Sequence, residues 1–156
     1  GIESTVLDLS REQPLILRPG AVTAERISDV LCKTVNVLND TNSKVNSPGV
    51  RYKHYAPKIP MVLNVDGNAD KLCGYYDELV KQGLRPVFLV EKPSLYGLRS
   101  VKSIGDTDEE VARNLFENLR LLEEKYDYII ASFSSKTPFA QSILNRLVRS
   151  AGHNLI

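Results

Sequence analysis

Pro86-Val-Phe-Leu-Val90 is a continuous apolar run bounded by chain breakers. Side chains alternate between the two faces of a strand, so a run with no polar member needs apolar surroundings on both sides. Tyr128-Ile-Ile-Ala131 reads the same way. Around these two runs the pattern alternates. Residues 61–65 read as a strand, and residues 69–82 as a helix with Leu72, Tyr75, Tyr76, Leu79 and Val80 near one face and Gly83 ending it. Residues 100–104 are a weaker strand. Thr107-Asp-Glu-Glu110 is a capping box: the Thr107 hydroxyl accepts from the Glu110 backbone while the Glu110 carboxylate reaches back. The helix it opens runs to about Lys125, with Val111, Leu115, Leu119 and Leu122 at helical spacing. A last helix is expected over residues 139–150, and a final strand over 154–156. Strands alternating with helices predict a parallel α/β sheet covered on both faces, with roughly five strands and three helices.

Working toward the N-terminus, residues 39–60 break this regularity. They hold almost no apolar periodicity and carry Pro48, Gly49, Pro57 and Pro60. Such a stretch is usually a linker or a functional loop. Before it, residues 3–9 and 14–18 read as two short strands, the second stopped by Pro19-Gly20. Thr23 is a plausible N-cap for a helix over about 24–33 with Ile27, Val30 and Leu31 on one face, and residues 35–38 read as a third short strand. Three strands and one helix are too few for a stable domain. The expected division is therefore an incomplete unit over 1–38, a linker over 39–60 and an α/β domain over 61–156.

Composition narrows the function classes. The chain has 156 residues, 42% hydrophobic and 25% charged, which is ordinary for a globular domain. Lys and Arg number 20 against 19 Asp and Glu, so a net charge of +1 gives no electrostatic drive toward nucleic acid. No apolar run approaches the ~20 residues that a membrane helix needs, and no signal peptide is expected at the start. Cys32 and Cys73 read as reduced, partly buried thiols of a cytosolic protein. No Cys/His pair has metal-ligand spacing, so no metal site is expected from the sequence.

Glycine-rich phosphate loops and the Gly-x-Ser-x-Gly elbow are absent. Ser132, Ser134, Ser135 and Lys136 follow a buried strand, where open α/β sheets bind ligands, although a plain polar loop is the simpler reading of them. Ser4 and Thr5 either start a solvated strand or turn two hydroxyls toward a polar ligand. Arg18 ends the Leu-Ile-Leu strand. It suits either a surface ion pair or a phosphate, which its planar fork matches. Tyr52, His54 and Tyr55 either pin the linker to a surface or stack on a base and bond a phosphate. His153 reads as structural or exposed.

Three segments together carry a resemblance: Gly1-Ile-Glu-Ser-Thr-Val-Leu-Asp8, Pro14-Leu-Ile-Leu-Arg-Pro-Gly20 and Ser47-Pro-Gly-Val-Arg-Tyr-Lys-His-Tyr-Ala-Pro57. In this order they resemble the end of the catalytic domain and the linker of the two-domain, YrdC-like threonylcarbamoyl-AMP synthase family. Ala112-Arg-Asn-Leu-Phe116, Leu119-Arg120 and Asn145-Arg146 are similar, more weakly, to that family's C-terminal domain. Val50 stands where the family usually has Met. The larger departure is the bulk of the catalytic domain, with its Lys/Arg-rich ATP site and its Ser/Asn-containing threonine site, which is not in this sequence. The chain is thus expected to be a fragment of a longer enzyme and inactive alone.

The resemblance implies a Rossmann-like C-terminal accessory domain over 61–156, preceded by a linker and the last part of the catalytic domain. It implies an enzyme that forms L-threonylcarbamoyladenylate from L-threonine, bicarbonate and ATP, with magnesium, and passes it to the transferase complex that makes threonylcarbamoyladenosine in tRNA. It assigns Ser4 to threonine, Arg18 and Tyr55 to ATP, and Tyr52 and His54 to a linker that covers the site. Residues that carry out the chemical step are not identified. A cytoplasmic protein without direct nucleic-acid or membrane contact is expected. The alternative is a non-catalytic ligand-binding or regulatory α/β module on 61–156. A third reading, an RNA-binding module, is opposed by the near-zero charge.

Overall fold

The computed structural model describes residues 4–38 and 56–156. The expectations for residues 1–3 and 39–55, Tyr52, His54 and Tyr55 among them, lie outside the described residues. The described chain forms two sheets.

The first sheet holds β1 (Val6–Asp8), β2 (Leu15–Arg18) and β3 (Asn36–Val37), in that order. β1 and β2 are antiparallel, joined by a turn that Asp8 organises. Its carboxylate accepts from the Ser10 backbone at 2.9 Å, the Ser10 hydroxyl at 2.6 Å and Arg11 Nε at 3.0 Å, an Asx-type turn. β2 and β3 are parallel and linked through α1 (Ala24–Leu31), which Thr23 caps by accepting from the Arg26 backbone. No α1 residue is buried, and Val30, expected on its packed face, is 83% exposed. Cys32 differs from expectation too. It is exposed, because it is the C-cap and takes the left-handed conformation at φ 48° that ends the helix.

The second sheet is wholly parallel, with β4 (Met61–Asn64), β7 (Tyr128–Ser132), β5 (Pro86–Val90) and β6 (Val101–Ser103) in that spatial order. The expected fifth strand reduces to one bridge, Leu155 beside Leu63. Period-two alternation explains the apolar runs. Met61, Leu63, Val87, Leu89, Ile129 and Ala131 face α3 (Asp108–Glu123) and α4 (Ala140–Ser150). Val62, Phe88, Val90 and Ile130 face α2 (Ala69–Lys81) and the 3-10 turn Pro93–Tyr96. β4, β5 and β7 are therefore covered on both sides, whereas the edge strand β6 exposes Lys102. The capping box forms with one difference: Thr107 Oγ1 accepts from the Glu110 backbone, but the Glu110 carboxylate accepts from Asp106, one residue before the cap. Gly105 is required between β6 and α3. Its φ is +142°, and a Cβ there would lie 2.8 Å from the Val111 nitrogen.

Candidate functional site

Two of the five site residues expected from sequence lie within the described chain, and they meet. Arg18 is the last residue of β2 and pairs in register with Val6 of β1. Its Nε and Nη2 donate to the Ser4 carbonyl at 3.2 and 3.1 Å. Both donors of one edge of the fork thus hold the chain just before β1. Ser4 is exposed and Arg18 half-buried, so the pair sits at the rim of the first sheet. Thr5 does something different from its neighbour. Its hydroxyl donates to the Val22 carbonyl at 2.7 Å and accepts from the Val22 N–H at 3.2 Å, closing a structural link rather than facing a ligand.

The turn after Arg18 packs into the second unit. Pro19 and Gly20 are buried. Ser142 of α4 donates its hydroxyl to the Gly20 carbonyl at 2.7 Å, and Arg146 of the same helix donates Nη1 to the Pro19 carbonyl at 3.2 Å. Both side chains are buried, at 2% and 5% exposure. Sequence reading passed over Ser142 and gave Arg146 no role. The signal was a polar spacing of four, Ser142, Arg146 and Ser150, on a helix whose other face carries Ala140, Ile143 and Leu147.

The loops at the carboxyl end of the parallel sheet, a candidate ligand site, use their hydroxyls internally. Ser134 gives its N–H and hydroxyl to Glu91 at 2.8 and 2.9 Å. Ser135 and Thr137 both donate to Asp108. Ser132 donates to Asn64, whose side-chain carbonyl also accepts from Gly67 N–H at 2.8 Å. Asp66 is held below the usual carboxylate range, chiefly by the Asn68 backbone N–H and then by the Asn64 amide. These loops behave as cross-braced turns. Among the described residues no group of His, Cys, Asp and Glu is arranged to hold a metal ion, and no helix is long and apolar enough to cross a membrane.

Just before β4, Ala56, Pro57 and Lys58 border a groove of about 380 Å³ lined by Phe116, Arg120 and Glu123 of α3. Lys58 N–H donates to the Glu123 carboxylate at 2.7 Å, which fixes where the chain passes into β4.

Residues 22–152 match the family model described as threonylcarbamoyl-AMP synthase, C-terminal domain. The whole chain is similar to the threonylcarbamoyl-AMP synthases of Bacillus subtilis, at 37% identity, and Pyrococcus abyssi, at 33%. It spans about half their length, 47% in each case. Among solved structures, that of the P. abyssi Sua5 protein complexed with L-threonine superposes over 100% of this chain and 47% of its own, with TM-score 0.85 and 29% identity. A variant of the same protein with an adjacent histidine and tyrosine replaced by alanine superposes over 99% of this chain and 46% of its own, with TM-score 0.80 and 27% identity.

Proposed function

Because the chain belongs to the family of threonylcarbamoyl-AMP synthase C-terminal domains, we propose that it is the C-terminal part of an enzyme making L-threonylcarbamoyladenylate. The threonine amine takes up carbon dioxide from bicarbonate to give a carbamate. A carbamate oxygen then attacks the α-phosphorus of ATP and pyrophosphate leaves; magnesium carried in with ATP would offset phosphate charge. Such catalysis rests on positioning and on neutralising the charge that develops on phosphate. The product is consumed by the transferase complex that modifies tRNA, and the protein works in the cytoplasm.

The observation that carries this reading is the superposition of the entire chain on a relative complexed with L-threonine. In this proposal Ser4 contacts threonine and Arg18 the ATP phosphates; their direct hydrogen bonds support a shared site. The bare face of α1, with Val30 exposed, supports further protein packing there. Tyr55 contacts ATP from the linker, and Tyr52 and His54 help that linker exclude water. His54-Tyr55 is the only His-Tyr pair in this sequence, which supports reading it as the counterpart of the pair altered in the P. abyssi variant.

The test is pyrophosphate release by the full-length protein, dependent on threonine and bicarbonate, with Arg18→Ala beside wild type. Losing a charged hydrogen bond to phosphate costs about 1.5–3 kcal/mol, so the ATP requirement should rise about tenfold to a hundredfold. Wild-type ATP dependence in that variant removes the phosphate role of Arg18. No threonine-dependent release by the wild type removes the whole reading.

A further inference from the structure

We infer that Ser142 and Arg146 of α4 are positioning residues for Arg18, through which the C-terminal domain fixes the phosphate-binding arginine without touching substrate. The inference rests on the assignment of Arg18 to ATP.

Three observations converge on the turn that follows β2. Its two carbonyls, Pro19 and Gly20, each accept a side-chain hydrogen bond from the same helix, at 3.2 and 2.7 Å. The donors are one helical turn apart, which puts them on one face of α4. The adjoining face of α4 contributes Ala140, Ile143 and Leu147 to the core against the parallel sheet. The clamp is therefore mounted on an element that cannot shift without disturbing that core.

The geometry transmits to Arg18 over a short, stiff path. Peptide units are planar and Pro19 has its φ locked by its ring. Fixing the carbonyls of residues 19 and 20 thus leaves little freedom in the Cα–Cβ direction of residue 18. The guanidinium is then held from the other end by the Ser4 carbonyl. A buried arginine is a costly way to secure a turn, because its charge loses water, and its fork makes a second bond to the Ser142 carbonyl at 3.4 Å. The cost is intelligible where the turn's direction matters for function.

The experiment measures kcat and KM for ATP and threonine in the full-length enzyme. Variants are Ser142→Ala, Arg146→Met and Arg146→Lys, each alone and with Arg18→Ala, with melting temperature followed throughout. Ser142→Ala should raise the ATP KM about three- to tenfold and Arg146→Met by more, with Arg146→Lys recovering part of the loss. In the Arg18→Ala background none of them should shift the ATP KM further, because the group they position is gone. Shifts that persist undiminished in that background overturn the inference, since the clamp would then serve the fold alone. Unchanged ATP KM in Ser142→Ala and Arg146→Lys, with Arg18→Ala impaired, also overturns it while leaving the phosphate assignment intact. Wild-type kinetics in Arg18→Ala overturns the assignment beneath it. Should Arg146→Met not fold, Ser142→Ala decides.

Discussion

Asp127 precedes β7 and Arg85 precedes β5, and the two strands are neighbours in the sheet. Asp127 accepts from Arg85 Nε at 2.9 Å, Nη2 at 2.8 Å and the Arg85 backbone N–H at 2.9 Å. Three donors on one carboxylate favour its charged form, with the guanidinium bonds first, and the group is held down to about 2. The consequence for stability has a definite sign. A carboxyl with a lowered folded-state pKa contributes fully above its unfolded value of 3.8, and that contribution is lost as pH falls from there through about 2. Carboxyl NMR titration of the chain should place the Asp127 midpoint near 2, and Arg85→Ala should return it toward 3.8. An ordinary midpoint in the intact chain would mean that the bidentate pair does not persist in solution.

At the scale of elements, the cap of α3 is the clearest case of sequence dictating structure. Thr107→Ala removes the acceptor for the Glu110 N–H and leaves the Asp106 bond to Glu110 unaided. It should lower stability by about 1 kcal/mol and the melting temperature by roughly 2–4 °C. An unchanged melting curve would show that the cap contributes nothing. Capping and period-two or 3.6-residue patterning are local, so the elements of the parallel sheet were legible from the sequence, and 86–90 was legible to the residue. Residues 154–156 were legible as a strand but not as a single bridge at Leu155, since strand length at an edge depends on what pairs beside it. α1 was legible as amphipathic, yet amphipathicity says only that a face can be buried, and Val30 is not. Of the candidate site, Arg18 stood out because a charged fork at the end of an apolar strand is unusual. Ser142 and the role of Arg146 did not, because the Pro19 and Gly20 carbonyls they bind lie over a hundred residues away in the chain. A polar stripe on a helix cannot be told from a solvated face until its partner is known.

For the whole molecule, the two sheets differ in how much holds them. β1, β2 and β3 have 3, 4 and 2 residues. The apolar side chains that residues 4–38 bury are Pro14, Ile16, Pro19 and Val35. The parallel sheet is sandwiched between two apolar clusters, with Phe88, Leu89, Ile129 and Ile130 all fully buried in its central strands. Free energies of local opening follow buried apolar contact, so the chain should open in steps. Native-state hydrogen exchange should show amides of β5 and β7 exchanging only through global unfolding. Asn36 and Leu38, which donate to the Pro14 and Ile16 carbonyls, should exchange through a smaller opening of the first sheet. The step is bounded by the clamp from α4, because the Pro19–Gly20 turn is where the first sheet is tied to the stable unit. Ser142→Ala should therefore bring the opening of β2 and β3 closer to zero while leaving exchange in β5 and β7 unchanged. Equal opening energies in both sheets would mean that the molecule unfolds as one cooperative body, and that the turn couples them more tightly than their separate cores suggest.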